Sequence, residues 1–262
     1  MKLDFYKIVE QFIVNKETFK LIFQNEIKPV INPTTRQILI LDSSFNPPHL
    51  GHLSVIKQGV IDIKSPGINV STINYKSILL LFSVHNADKG IADVASYSTR
   101  LEMMKEMCDF IDEEMGLACG IGLTNASLFV DKGESICAWV NDQNIEKIFL
   151  VGYDTVVRIF DPKYYQNSVD QEMISFFTKS KICVFLRDTG NCDFELQKEY
   201  LLKLQQKWGP DKILVTHADH REMKISSSAI RRKLKSGDSS WTEDVIPAIR
   251  RLLESKYVKV DR

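Results

Sequence analysis

Short apolar runs recur along this chain, each too short for a buried helix and each followed by a longer stretch with helical spacing. They fall at residues 38–41, 78–83, 119–123, 147–151, 182–186 and 212–216. Between them lie patterns such as Leu53, Ile56 and Val60, or Leu101, Met104 and Met107, spaced for one helical face. Strands that are apolar throughout belong in a sheet covered on both faces, and strand–helix alternation makes that sheet parallel. The expected class is α/β. Such sheets take their ligands at the carboxyl ends of the strands. A chain of 262 residues, 44% hydrophobic, can build one large domain of this kind or two small ones.

Ahead of the first of these runs, Phe5, Ile8, Val9 and Phe12, then Phe19, Ile22 and Phe23, follow helical spacing until Asn32-Pro-Thr-Thr35. The expected organisation is a helical extension over residues 1–32, packed on a domain spanning 33–262. Lys plus Arg is 34 and Asp plus Glu is 34, so a general nucleic-acid-binding role is disfavoured. The five cysteines, at 108, 119, 137, 183 and 192, form no C-x-x-C pair and read as reduced thiols. The first residues lack a signal-peptide layout, and no apolar run reaches membrane-spanning length. The expectation is a cytoplasmic protein, with the nucleus as an alternative and the oligomeric state left open. No P-loop sequence occurs, and Gly120-x-Gly122 lacks the third glycine of a dinucleotide fingerprint.

The chemistry gathers after the first of the six runs. Gln37-Ile-Leu-Ile-Leu-Asp42 leads into S-F-N-P-P-H-L-G-H, residues 44–52. A strand entering a tight loop that opens a helix presents free N–H groups and a positive dipole end to an anion. Pro47 and Pro48 suit the first helical turn. His49 and His52, at i and i+3, share a face and can reach the same phosphates. His52 is expected to be an exposed loop histidine. Two histidines at this spacing, with no third ligand nearby, do not form a metal site. Further along, Ser226, Ser227 and Ser228 precede a helix expected from about Ala229. Serines there cap it, and the same free N–H groups can face an anion.

The H-x-G-H loop resembles that of the nucleotidylyltransferase superfamily. Its longer S-F-N-P-x-H-x-G-H form is similar to the nicotinamide and nicotinate mononucleotide adenylyltransferases. Three further segments agree, in order: Y-S-T-R-L-E-M-M at 97–104, V-G-Y-D at 151–154, and I-S-S-S-A-I-R at 225–231. The resemblance covers roughly residues 37–258. It implies a Rossmann-like, doubly wound sheet of nucleotidylyltransferase type. It also implies transfer of the AMP moiety of ATP to nicotinamide mononucleotide, giving NAD and pyrophosphate. Alternatives are nicotinate mononucleotide or another phosphorylated acceptor, or a non-catalytic nucleotide-binding regulator.

On that resemblance, His49, His52 and Arg231 carry the transfer, the histidines donating to α- and β-phosphate oxygens and Arg231 holding the β/γ end. ATP would be bound by Ser44, Phe45, His52, Lys89, Asp154, Ser226, Ser227, Ser228 and Arg231. The mononucleotide would be bound by Ser44, Phe45, Gly152, Asp154, Tyr164, Tyr165 and Arg187, with Tyr165 stacking on the pyridine ring. Magnesium would arrive mainly on ATP, since no dedicated carboxylate cage is visible. The sequence departs from the family in three places. Asp42-Ser43 replaces a residue pair that usually contains glycine, Gly133 stands where a tryptophan is common, and Ser228 replaces threonine.

Overall fold

The computed structural model describes residues 3–63, 75–84, 95–186, 194–217 and 222–257. Its centre is a seven-stranded sheet. In chain order the strands are β1 (Phe19–Gln24), β2 (Gln37–Asp42), β3 (Lys76–Ser83), β4 (Ala118–Thr124), β5 (Glu146–Gly152), β6 (Ser180–Leu186) and β7 (Ile213–His217). Their order across the sheet is β1-β4-β3-β2-β5-β6-β7, parallel except for β1. The chain winds from β2 towards β3 and β4 on one side, and from β5 towards β7 on the other. The switch point therefore lies between β2 and β5, and sheets of this kind take their ligands at the carboxyl ends of such strands.

The helices are α1 (Phe5–Val14), α2 (Leu50–Asp62), α3 (Tyr97–Met115), α4 (Phe129–Val140), α5 (Tyr153–Ile159), α6 (Val169–Lys179), α7 (Phe194–Trp208), α8 (Ser227–Ser236) and α9 (Pro247–Tyr257). Successive strand residues point to opposite faces. Leu39 and Leu41, with Ile78, Leu80 and Phe82, join a core formed with α1, α2, α3 and α9. Ile38 and Ile40, with Leu79 and Leu81, join a second core formed with α4, α5, α6 and α7. All eight residues of β3 are buried, as a strand covered on both faces must be.

The N-terminal segment departs from the helical expectation. Residues 5–14 are helical, but Phe19–Gln24 is a strand, paired antiparallel with β4. The reason lies on the partner strand. Gly122 presents no side chain, and the Phe19 ring lies where a Cβ would sit, 2.6 Å from its ideal position. Phe19 also packs on Trp139, ring centres 5.0 Å apart. An aromatic over a strand glycine stabilises an edge that neither residue would stabilise alone.

Candidate active site

The loop after β2 carries the site. Phe45 has φ 44°, in the left-handed region, although it is not glycine. Its ring is fully buried, which holds that conformation in place. The Asn46–Pro47 peptide is cis, and α2 begins at Leu50, with His49 as N-cap. Pro47 and Pro48 thus lie ahead of the helix and not in its first turn.

Both histidines are buried, at 4% and 9% exposure, His52 against the expectation that it faces solvent. His52 packs against Phe45, with ring centres 5.1 Å apart, and against His49 at 3.8 Å. Gly51 permits this. A Cβ there would lie 2.8 Å from the Glu222 carbonyl and about 3.0 Å from the His49 ring. The His49 backbone N–H donates to His52 Nδ1 at 3.1 Å, and Ser43 Oγ lies 3.0 Å from His52 Nε2.

Three elements brace the loop. From α8, Arg231 Nη1 donates to the Asn46 carbonyl at 2.6 Å, and Ser227 Oγ donates to the Pro47 carbonyl at 2.9 Å. From α3, the buried Arg100 donates to the Ala95 carbonyl at 2.7 Å and reaches the Ser44 carbonyl at 3.5 Å. The turn before α9 offers the Asp244 carbonyl to the Leu50 N–H at 2.9 Å. Ser226 caps α8 by accepting from the Ala229 N–H at 3.2 Å, and Ser228 accepts from Arg231. The start of α8 is thereby fastened to the loop that leads into α2.

Of the residues expected from the sequence, the structure gathers Ser44, Phe45, His49, His52, Ser226, Ser227, Ser228 and Arg231. Gly152 and Asp154 follow the neighbouring strand β5, Gly152 as N-cap of α5 and Asp154 exposed in its first turn. Tyr165 is half-buried, with its hydroxyl donating to the Ile159 carbonyl at 2.5 Å. Burial, with Glu172 and Asp131 nearby, pushes that phenol up to about 12. Tyr164 is exposed beside it. Lys89 and Arg187 lie outside the described residues.

The departures from the family pattern find local explanations. Asp42 pairs with the buried Lys132 of α4 at 2.6 Å, so the carboxylate does not confront a phosphate unneutralised. A Cβ on Gly133 would lie 2.8 Å from the Phe176 ring, which occupies the space a larger residue would need. Arg100 and Ser43 were not among the expected site residues. The signals were there, as the arginine of the 97–104 segment and as the hydroxyl replacing a glycine. An open cleft of about 810 Å³ lies at the opposite pole of the sheet, beside Glu146, Lys147, Ser180 and Lys181. It is remote from these groups. Among the described residues no cluster of three metal-ligating side chains occurs.

A doubly wound sheet with an H-x-G-H loop at its switch point, faced by a serine-capped helix, is the architecture of a nucleotidyltransferase. The chain belongs to the cytidylyltransferase-like family, which it matches over residues 40–233. It is 32% identical over 221 residues to a Schizosaccharomyces pombe protein provisionally named as a nicotinamide mononucleotide adenylyltransferase, covering 81% of each chain. The fold is similar to that of Plasmodium falciparum nicotinic acid mononucleotide adenylyltransferase. Its complex with APC gives a TM-score of 0.54 at 14% identity, covering 84% of this chain and 95% of that one. Its complex with NaAD gives 0.53 at 15% identity over the same shares.

Proposed function

We propose that this protein transfers the AMP moiety of ATP to nicotinamide mononucleotide, producing NAD and pyrophosphate. The observation that carries the reading is the fastening of Ser227 and Arg231, at the start of α8, to the loop that bears His49 and His52 at the switch point. The similarity to the fission-yeast protein supports the acceptor.

In the reaction a phosphate oxygen of the mononucleotide attacks the α-phosphorus of ATP. An O–P bond forms, the bridge to the β-phosphate breaks, and pyrophosphate departs with the electron pair. The attacking oxygen is already ionised near neutral pH, so no general base is required. The barrier lies in alignment and in accumulating charge, and preorganised donors lower both contributions. His52 and the α2 N-terminus would face the α-phosphate. Arg231, now held by the Asn46 carbonyl, and the serine-capped α8 would face the departing pyrophosphate. Gly152 and Asp154 would flank the mononucleotide, and Tyr165 would offer its ring to the pyridine.

The side chains set on the loop, His49, His52, Ser227 and Arg231, include no carboxylate, and they fit phosphate better than a bare cation. Magnesium would accordingly enter on ATP, where it supplies charge neutralisation to the β- and γ-phosphates. Purified protein with ATP and magnesium is to be assayed against nicotinamide and nicotinate mononucleotides separately, following dinucleotide and pyrophosphate. Equimolar NAD and pyrophosphate are expected. Product only with nicotinate mononucleotide would replace the acceptor, and no product with either would overturn the enzyme reading.

A further inference from the structure

Ser43 occupies the position before the S-F-N-P loop where the glycine-containing pattern has no hydroxyl, and that hydroxyl is in use. His52 has two ring nitrogens, and each has a defined neighbour. Nδ1 faces the His49 backbone N–H at 3.1 Å, and a backbone N–H can only donate. Nδ1 must therefore accept with its lone pair and cannot carry a proton in this arrangement. The ring proton is left on Nε2, 3.0 Å from Ser43 Oγ, which accepts it. The two bonds fix both the tautomer and the rotation of the ring. The His49 and Phe45 rings pack on it at 3.8 and 5.1 Å and close off other orientations.

We infer that Ser43 is a positioning residue. It holds His52 as the neutral Nε2–H tautomer, with its one mobile donor aimed at the space where the α-phosphate would lie. A phosphate oxygen entering that space takes over the Nε2–H from Ser43. The Ser43 hydroxyl is then free to donate its own proton to the same anion. The donor is set in direction before the substrate arrives, so little reorganisation is left for the transition state. The inference rests on the adenylyl-transfer reading for its kinetic half, but its structural half does not.

Two readouts test it together. Histidine side-chain ¹⁵N NMR of the intact protein, with the His52 signals assigned from His52→Gln, reports which nitrogen carries the proton. Wild-type protein is expected to show a protonated Nε2 and an unprotonated Nδ1. Ser43→Ala and Ser43→Gly should both yield mixed tautomers, while the remaining spectrum keeps its native dispersion. In turnover assays both variants should lose roughly tenfold in kcat with KM for ATP nearly unchanged, the size typical of removing a group that orients a ligating histidine. A wild-type His52 protonated on Nδ1, or on both nitrogens, would overturn the inference even if the protein makes NAD. So would an unchanged kcat in both variants. If wild-type protein makes no dinucleotide, the adenylyl-transfer reading fails, and the NMR result alone decides whether Ser43 sets the His52 tautomer.

Discussion

At the scale of single residues, His52 is at once a packed side chain and a donor. His52→Ala should lower kcat about a hundredfold, the usual cost of losing one preorganised charge-stabilising donor. Because the ring is buried between Phe45 and His49, the variant should also melt earlier, so kcat must be measured on the folded fraction. A normal kcat in folded protein would place the site elsewhere. Tyr165 separates ring from hydroxyl. If the ring stacks on the pyridine as proposed, Tyr165→Ala should raise KM for the mononucleotide about tenfold, by analogy with base–aromatic stacking. Tyr165→Phe should keep KM and lose only the bond to the Ile159 carbonyl, about 1 kcal/mol of stability. Equal KM values in both variants would remove Tyr165 from the pocket. The histidines, serines and Arg231 were legible because their spacing in sequence is their spacing at a helix start. The burial of the histidines was not, since it depends on Phe45 turning left-handed and on Gly51 meeting the carbonyl of distant Glu222.

At the scale of elements, the strands from β2 to β7 were legible to within a residue or two, because buried parallel strands are continuous apolar runs bounded by polar residues. The strand β1 was not. Phe19, Ile22 and Phe23 satisfy helical spacing as well as strand composition, and what decides between them is Gly122, far along the chain. The helix pair α4 and α6 offers a test of the family departure at Gly133. Adding one methyl group there, Gly133→Ala, must displace the Phe176 ring, so it should destabilise the fold by about 1–3 kcal/mol, read from urea denaturation. A stabilising effect would mean that Phe176 can swing aside and that a larger residue could be accommodated.

For the molecule as a whole, stability should carry an alkaline signature from Lys76. This residue, 3% exposed, starts β3 and donates to the Val60 and Ile63 carbonyls at the end of α2. Burial pushes its ammonium from 10.5 down to about 8, with Asp62 opposing the shift. Below about pH 8 folded and unfolded chains both hold the proton, and the cost of burying the charge is borne in full. Between there and 10.5 the unfolded chain holds a proton that the native one has released, so stability rises with pH. Relative to Lys76→Met, the wild type should gain across that window by no more than about 1.4 kcal/mol per pH unit. Denaturation at about pH 7.5 and about pH 9.5 measures this, and a constant difference would show that Lys76 stays charged. The antiparallel edge strand has a consequence in time. Phe19 leaves the ribosome about a hundred residues ahead of its partner Thr124. Until β4 emerges, an aromatic-rich strand has no native edge to join. Folding must therefore wait on a long-range closure, and a nascent chain stalled before β4 is the species most exposed to misassociation.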